Sequence, residues 1–138
     1  MPEALPNIRE LIPHEPPLVL VDRLNVLNQE QVCGETTLAP GTLDDSGQGV
    51  PAAWSLEIVA QACAAIIGHE YRDRGYQGGR LIRAPRWDLA QTHLPTGQTL
   101  TIEATLEAAS GLGIFLFNGR LLADGQALAE GQLTILAQ

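Results

Sequence analysis

Glu57 and Gln61 stand four residues apart in Pro51-Ala-Ala-Trp-Ser-Leu-Glu-Ile-Val-Ala-Gln-Ala-Cys-Ala-Ala, an otherwise almost wholly apolar run. On a helix that spacing puts a carboxylate and a carboxamide on one face, one turn apart. An ionised carboxylate on a core-facing helix loses hydration and is seldom kept without a partner or a proton. Glu57 is therefore read as a site residue suited to general acid or base work. The competing reading is a carboxylate in the first turns of a helix, where the dipole favours it. Gln61 either orients Glu57 or satisfies a buried backbone group. The other candidate groups offer less. His69 and His93 read as surface residues near a helix end and a turn, and the three histidines and two cysteines show no metal-ligand spacing. Ser46, Ser55 and Ser110 lack a nucleophile elbow, and Gly111-Leu-Gly lacks the strand-then-helix context of a phosphate loop. No metal and no nucleotide cofactor is expected.

The carboxylate and carboxamide need a helix under them. Pro51 suits a first helical position, where its missing N–H costs nothing, so the helix is expected from Pro51 to about Arg74, with Gly75 as its stop. Leu56, Val59, Ala60, Cys63, Ile66 and Ile67 make it apolar around much of its circumference, which predicts a helix wrapped by other elements. Before it, Ile8 to Leu11 reads as a helical turn ended by Pro13 and Pro16-Pro17. Leu18-Val-Leu-Val enters a strand, and Gln31 to Leu38 forms a second one joined to it near Asn28-Gln29. A polar, Gly-rich loop follows from Pro40 to Gly49. After Gly78-Gly79 the period changes. Arg80 to Leu89 reads as a strand, Leu94-Pro-Thr-Gly as a turn, and Leu100, Ile102, Ala104 and Leu106 alternate with polar residues. Gly111 and Gly113 open a strand from Ile114 to Leu122, Asp124-Gly125 makes a hairpin turn, and Gln126 to Leu136 closes the sheet.

A chain of 138 residues fits one domain, 1–138, and the 45% hydrophobic and 17% charged content is that of a globular protein. No apolar run reaches the roughly 18 residues of a membrane span. Met1-Pro-Glu-Ala-Leu-Pro lacks the pattern of a signal peptide, so a cytoplasmic location is expected. Cys33 and Cys63 are then expected to be reduced, buried core residues rather than a disulfide or a reactive thiol. The net charge of −8, with no lysine, argues against a nucleic-acid partner. Five of the arginines nevertheless fall in one window, Arg72, Arg74, Arg80, Arg83 and Arg86, with only Asp73 opposing them inside it. They form either a solvated helix end and strand flank or a patch that docks an acidic or phosphorylated partner.

Three motifs in order resemble the hotdog-fold 3-hydroxyacyl acyl-carrier-protein dehydratases. Leu11-Ile-Pro-His-Glu-Pro-Pro-Leu-Val-Leu-Val-Asp-Arg looks like their Leu-Pro-His segment leading into Val-Asp-Arg. Leu56-Glu-Ile-Val-Ala-Gln-Ala matches their central-helix motif, and Leu94-Pro-Thr-Gly-Gln resembles their Pro-Gly-Asp turn. Leu38-Ala-Pro and Pro51-Ala-Ala-Trp-Ser-Leu-Glu are closer still to a divergent branch associated with aryl-polyene and related polyketide pathways.

The resemblance implies an α+β hotdog fold, an antiparallel sheet curled round one long central helix, paired as a homodimer or as a heterodimer with a second hotdog subunit. It implies an acyl carrier protein or CoA thioester as substrate and partner, no cofactor, and Glu57 at the catalytic carboxylate position. The helix N-terminus would present the Ala52 or Ala53 N–H to the thioester carbonyl, with Trp54 and Gln61 at the same substrate-binding end. Arg80, Arg83 and Arg86 would dock the carrier. These dehydratases carry a histidine in Gly-His-Phe-Pro-Gly before the helix, and this chain has none there: the matching position falls near Leu43, beside Asp44 and Asp45. His14, whose motif recurs in the family, reads first as a structural loop histidine; of the three histidines it is the best candidate for a replacement base. Without a base of its own, the chain would be a non-catalytic, carrier-binding subunit of a heteromeric dehydratase. Related hotdogs activate water with Asp or Glu, so Asp44, Asp45 or Glu57 could instead serve thioester hydrolysis.

Overall fold

Period-two alternation builds most of the molecule. In the computed structural model, which describes residues 20–41 and 49–138, Leu100, Ile102 and Ala104 are buried while Thr99, Thr105 and Glu107 face solvent. The elements in chain order are β1 (Arg23–Leu27), β2 (Gln31–Thr37), β3 (Val50–Pro51), α1 (Trp54–Glu70), a 3-10 turn (Arg72–Arg74), β4 (Gly79–Leu89), β5 (His93–Leu94), β6 (Thr99–Ala109), β7 (Ile114–Ala123) and β8 (Gln126–Ala137). Six strands form one antiparallel sheet in the order β1-β2-β6-β7-β8-β4, and β3 and β5 form a separate two-stranded ribbon. The Asp124-Gly125 hairpin is present with both residues at positive φ, 50° and 80°, the twist that a tight two-residue turn requires.

α1 lies in the concave side of this sheet and touches every one of its strands. Residues Ile58 to Gly68 are buried without interruption, as expected of a helix apolar all round. Close approach is possible because Gly119 lies beneath it: a Cβ there would stand 2.5 Å from Val59 Cγ1. Directly opposite on β8, Gly131 lets the β4 backbone at Arg86 press in, where a Cβ would collide with the Arg86 carbonyl.

Three expectations change. The helix begins at Trp54, not Pro51, because Pro51 pairs with His93 in the β3–β5 ribbon, and it ends at Glu70 with the 3-10 turn carrying the chain on to Gly75 at φ 88°. The first strand starts at Arg23. Leu20 and Val21 are buried but unladdered, since the Leu20 N–H goes to the Gln61 side chain and its carbonyl accepts the Thr36 hydroxyl. Cys63 is a core residue, whereas Cys33 is half-buried and paired with Glu103 across the sheet. The turn expected at residues 8–11 lies outside the described residues. No helix among the described residues is long and apolar enough to cross a membrane.

Candidate active site

The N-terminal half of α1 carries the polar groups that an apolar helix would otherwise lack. Gln61, 1% exposed, is fixed from two sides: its Oε1 accepts the Leu20 N–H at 2.8 Å, and its Nε2 donates to Glu57 Oε1 at 3.4 Å. The Leu20 donor sets which end of the carboxamide is oxygen, so the amino group is the end turned to Glu57. Gln61 thus both satisfies a backbone group and meets Glu57. Glu57 is half-buried and lines a cavity of about 210 Å³ with Ala60, Gln61, Gly79, Arg80 and Leu81. The cavity lies between the start of α1 and the first residues of edge strand β4, and the carboxylate and the carboxamide open onto it.

The turn before α1 is tied down on several sides. The Ala52 N–H donates to the Thr92 carbonyl at 2.9 Å, so it is already engaged. The Ala52 carbonyl accepts the Ser55 N–H at 3.0 Å and the Ser55 hydroxyl at 2.6 Å. The Trp87 indole N–H donates to Ser55 Oγ at 3.0 Å. Among the described residues, no backbone acceptor meets the Ala53 N–H, and Ala53 is exposed. Of the two alanines expected to offer a donor, Ala53 is the one with the N–H to give. Trp54 is half-buried against the core. Trp87 carries no motif of its own, and its partner Ser55 is 32 positions away in sequence, so only the folded chain reveals it.

The arginines divide. Arg72 and Arg74 sit exposed in the 3-10 turn, with the Arg74 guanidinium 5.2 Å from the Tyr71 ring centre. Arg80, Arg83 and Arg86 sit exposed on β4 opposite Leu136, Thr134 and Gln132. A spacing of three would alternate faces on a regular strand, but the register shifts between Leu81 and Arg83 and again between Arg83 and Arg86. Each bulge restores the face, so the three form a comb on the side of the sheet away from α1. Arg86 is bound to Asp88 at 2.9 Å.

His93 is half-buried, its Nδ1 3.0 Å from Thr92 Oγ1, and His69 is half-buried with Nε2 4.0 Å from Glu70, where surface residues near a turn and a helix end were expected. Burial pushes the Cys63 thiol well above its ordinary range, and burial followed by Glu103 and Glu35 pushes Cys33 up, which disfavours the reactive thiolate at both. No cluster of three metal-ligating side chains occurs among the described residues. His14, Asp44 and Asp45 lie outside them.

An antiparallel sheet curled round one buried helix is the hotdog architecture. The chain belongs to the ApeP-like family, described as ApeP dehydratase, whose model matches residues 6–138. It is similar to the 3-hydroxyacyl acyl-carrier-protein dehydratase FabZ of Magnetococcus marinus, 28% identical over 149 residues that cover 99% of this chain and 93% of the relative. Among solved structures, the dehydratase heterocomplex ApeI:P from Xenorhabdus doucetiae matches with a TM-score of 0.86 at 21% identity, covering 98% of this chain and 93% of the other. Cj0977, a sigma28-regulated virulence protein of Campylobacter jejuni, matches at 0.73 and 12% identity, covering 95% and 87%. At these identities the structural likenesses speak to the fold.

Proposed function

We propose that the protein acts in the dehydration of a 3-hydroxyacyl thioester carried by an acyl carrier protein or CoA in fatty-acid or polyketide-type biosynthesis. The observation that carries this reading is Glu57, held by Gln61 at a cavity one turn into a buried helix. In the reaction, a base takes the proton from the carbon next to the thioester carbonyl, and the hydroxyl on the following carbon leaves as water with a proton from the Glu57 carboxyl. The 2-enoyl double bond forms between those two carbons. The Ala53 N–H, at the positive end of the α1 dipole, stabilises the negative charge that gathers on the carbonyl oxygen. The base is His14 or a histidine of a second hotdog subunit. Trp54 and Ala52 border the acyl thioester, and the comb of Arg80, Arg83 and Arg86 docks the acidic carrier. A cytoplasmic location belongs to the same reading, in keeping with two unpaired cysteines.

Purified protein given a 3-hydroxyacyl carrier-protein substrate should yield the 2-enoyl thioester, and Glu57→Gln should lower that rate by about 10²–10⁴. Equal turnover by both proteins would overturn the assignment. Release of free thiol in place of enoyl product would make the protein a thioesterase.

The second reading is a carrier-binding subunit that needs a partner with an intact loop histidine. It is favoured by the absence of any histidine between Ala39 and Ala53 and by the long edge of β4, which exposes Ile82 and Leu89 and has β8 as its neighbour on one side. The heterocomplex among the similar structures supports it further. Activity that is absent from the chain alone and returns on adding a hotdog subunit with that histidine would select this reading; full activity alone would reject it.

A further inference from the structure

The peptide that presents the Ala53 N–H is held by a relay reaching it from edge strand β4. Its two polar groups belong to one planar trans unit, the Ala52 carbonyl on one side and the Ala53 N–H on the other, so fixing the carbonyl fixes where the N–H points. The carbonyl is fixed twice, by the Ser55 N–H at 3.0 Å and the Ser55 hydroxyl at 2.6 Å. Ser55 has a single hydroxyl proton and gives it to that carbonyl. Its oxygen is therefore the acceptor for the Trp87 indole N–H at 3.0 Å. Ser55 is 0% exposed and Ala52 2%, so water does not compete for these bonds. Thr92 holds the Ala52 N–H from the other side.

We propose that Trp87 and Ser55 are positioning residues: through the Ala52 carbonyl they aim and polarise the Ala53 N–H as a donor to the substrate carbonyl. This rests on the thioester reading above. The three bonds run head to tail from the indole through the hydroxyl to the peptide carbonyl, and each strengthens the next, which leaves the Ala53 N–H a better donor than an isolated amide. The reach of Trp87 depends on the glycine pair beneath it. Trp87 stands opposite Gly131, which stands opposite Gly119, and the missing side chains let both β4 and α1 close on the sheet until indole and hydroxyl meet. Ser55 is thereby assigned a role that its sequence context, with no nucleophile elbow, does not suggest.

The test uses the full chain in the form that shows turnover, alone or with a second hotdog subunit. Ser55→Ala should lower kcat about tenfold or more with KM within about twofold, because a misaimed donor is felt most in the transition state. Trp87→Phe should lower kcat by about fivefold, yet have no further effect in the Ser55→Ala background, since both act through one carbonyl. Ser55→Thr, which keeps the hydroxyl, should restore most of the rate. Losses that multiply, a change confined to KM, or native kcat in Ser55→Ala would overturn the proposal. A second measurement needs no turnover: the Ala53 amide resonance should move in Ser55→Ala and Trp87→Phe and stay in Ser55→Thr. An unmoved resonance in the folded variants would sink the relay. If the native protein makes no enoyl product in either form, the proposed function fails, while the amide resonance still decides whether Trp87 and Ser55 govern Ala53.

Discussion

The two ends of α1 are held in different ways. At its C-terminal end Phe115, 0% exposed, meets Tyr71 and Tyr76 in T-shaped contacts at 5.1 and 6.3 Å, and Ile66 and Ile67 are fully buried in the same core. These contacts are broad and weakly directional. At the N-terminal end the helix is joined by directed bonds, Leu20 to Gln61, Trp87 to Ser55 and Ala52 to Thr92. Apolar burial fixes where a helix lies, but it tolerates small rotations and slides. Hydrogen bonds with set angles remove that freedom at the end that carries Glu57 and Ala53.

That contrast breaks in measurable ways. Phe115→Ala should cost about 3–5 kcal/mol in denaturant unfolding, because it empties a fully buried site against two aromatic rings. If it costs less than about 1 kcal/mol, the C-terminal end is not the anchor. Gln61→Leu should cost about 1–3 kcal/mol by leaving the buried Leu20 N–H without its acceptor. It should also lower enoyl formation where Phe115→Ala, assayed below its unfolding transition, leaves kcat near native. Gly119→Ala forces Val59 away and should cost about 1–3 kcal/mol; a crystal structure of that variant should show the start of α1 lifted from the sheet with the Trp87 to Ser55 bond lengthened. The smallest effect is expected on the convex side. Arg120→Ala breaks a pair with Glu103 at 2.7 Å whose side chains are 49% and 36% exposed, and should change stability by less than about 1 kcal/mol.

Much of this could be read from the chain. The alternation around Ile102 and the Asp124-Gly125 turn are local signals, and the elements they predict are present. The helix was legible as a helix but not at its start, because Pro51 is equally fit for a first helical turn and for an edge of a two-residue ribbon, and tertiary pairing with His93 decides. The arginine window was visible as a cluster, yet its single-faced comb depends on two bulges, of which Pro85 marks the second and nothing in the sequence marks the first. Glu57 and Gln61 announced themselves by contrast with an apolar run. Trp87 did not, since an aromatic residue on a strand is unremarkable until its long-range partner is known.

The paired bulges of β4 bear on which strands this edge will accept. A regular edge is an open template on which any extended chain can lay down hydrogen bonds. The edge of β4 breaks step between Leu81 and Arg83 and again before Arg86, so its donors and acceptors are spaced like the wards of a lock. A strand with a matching rhythm can engage its full length. An unrelated strand runs out of register within a few residues, and the same irregularity that aligns the arginines keeps chance neighbours from growing along the sheet.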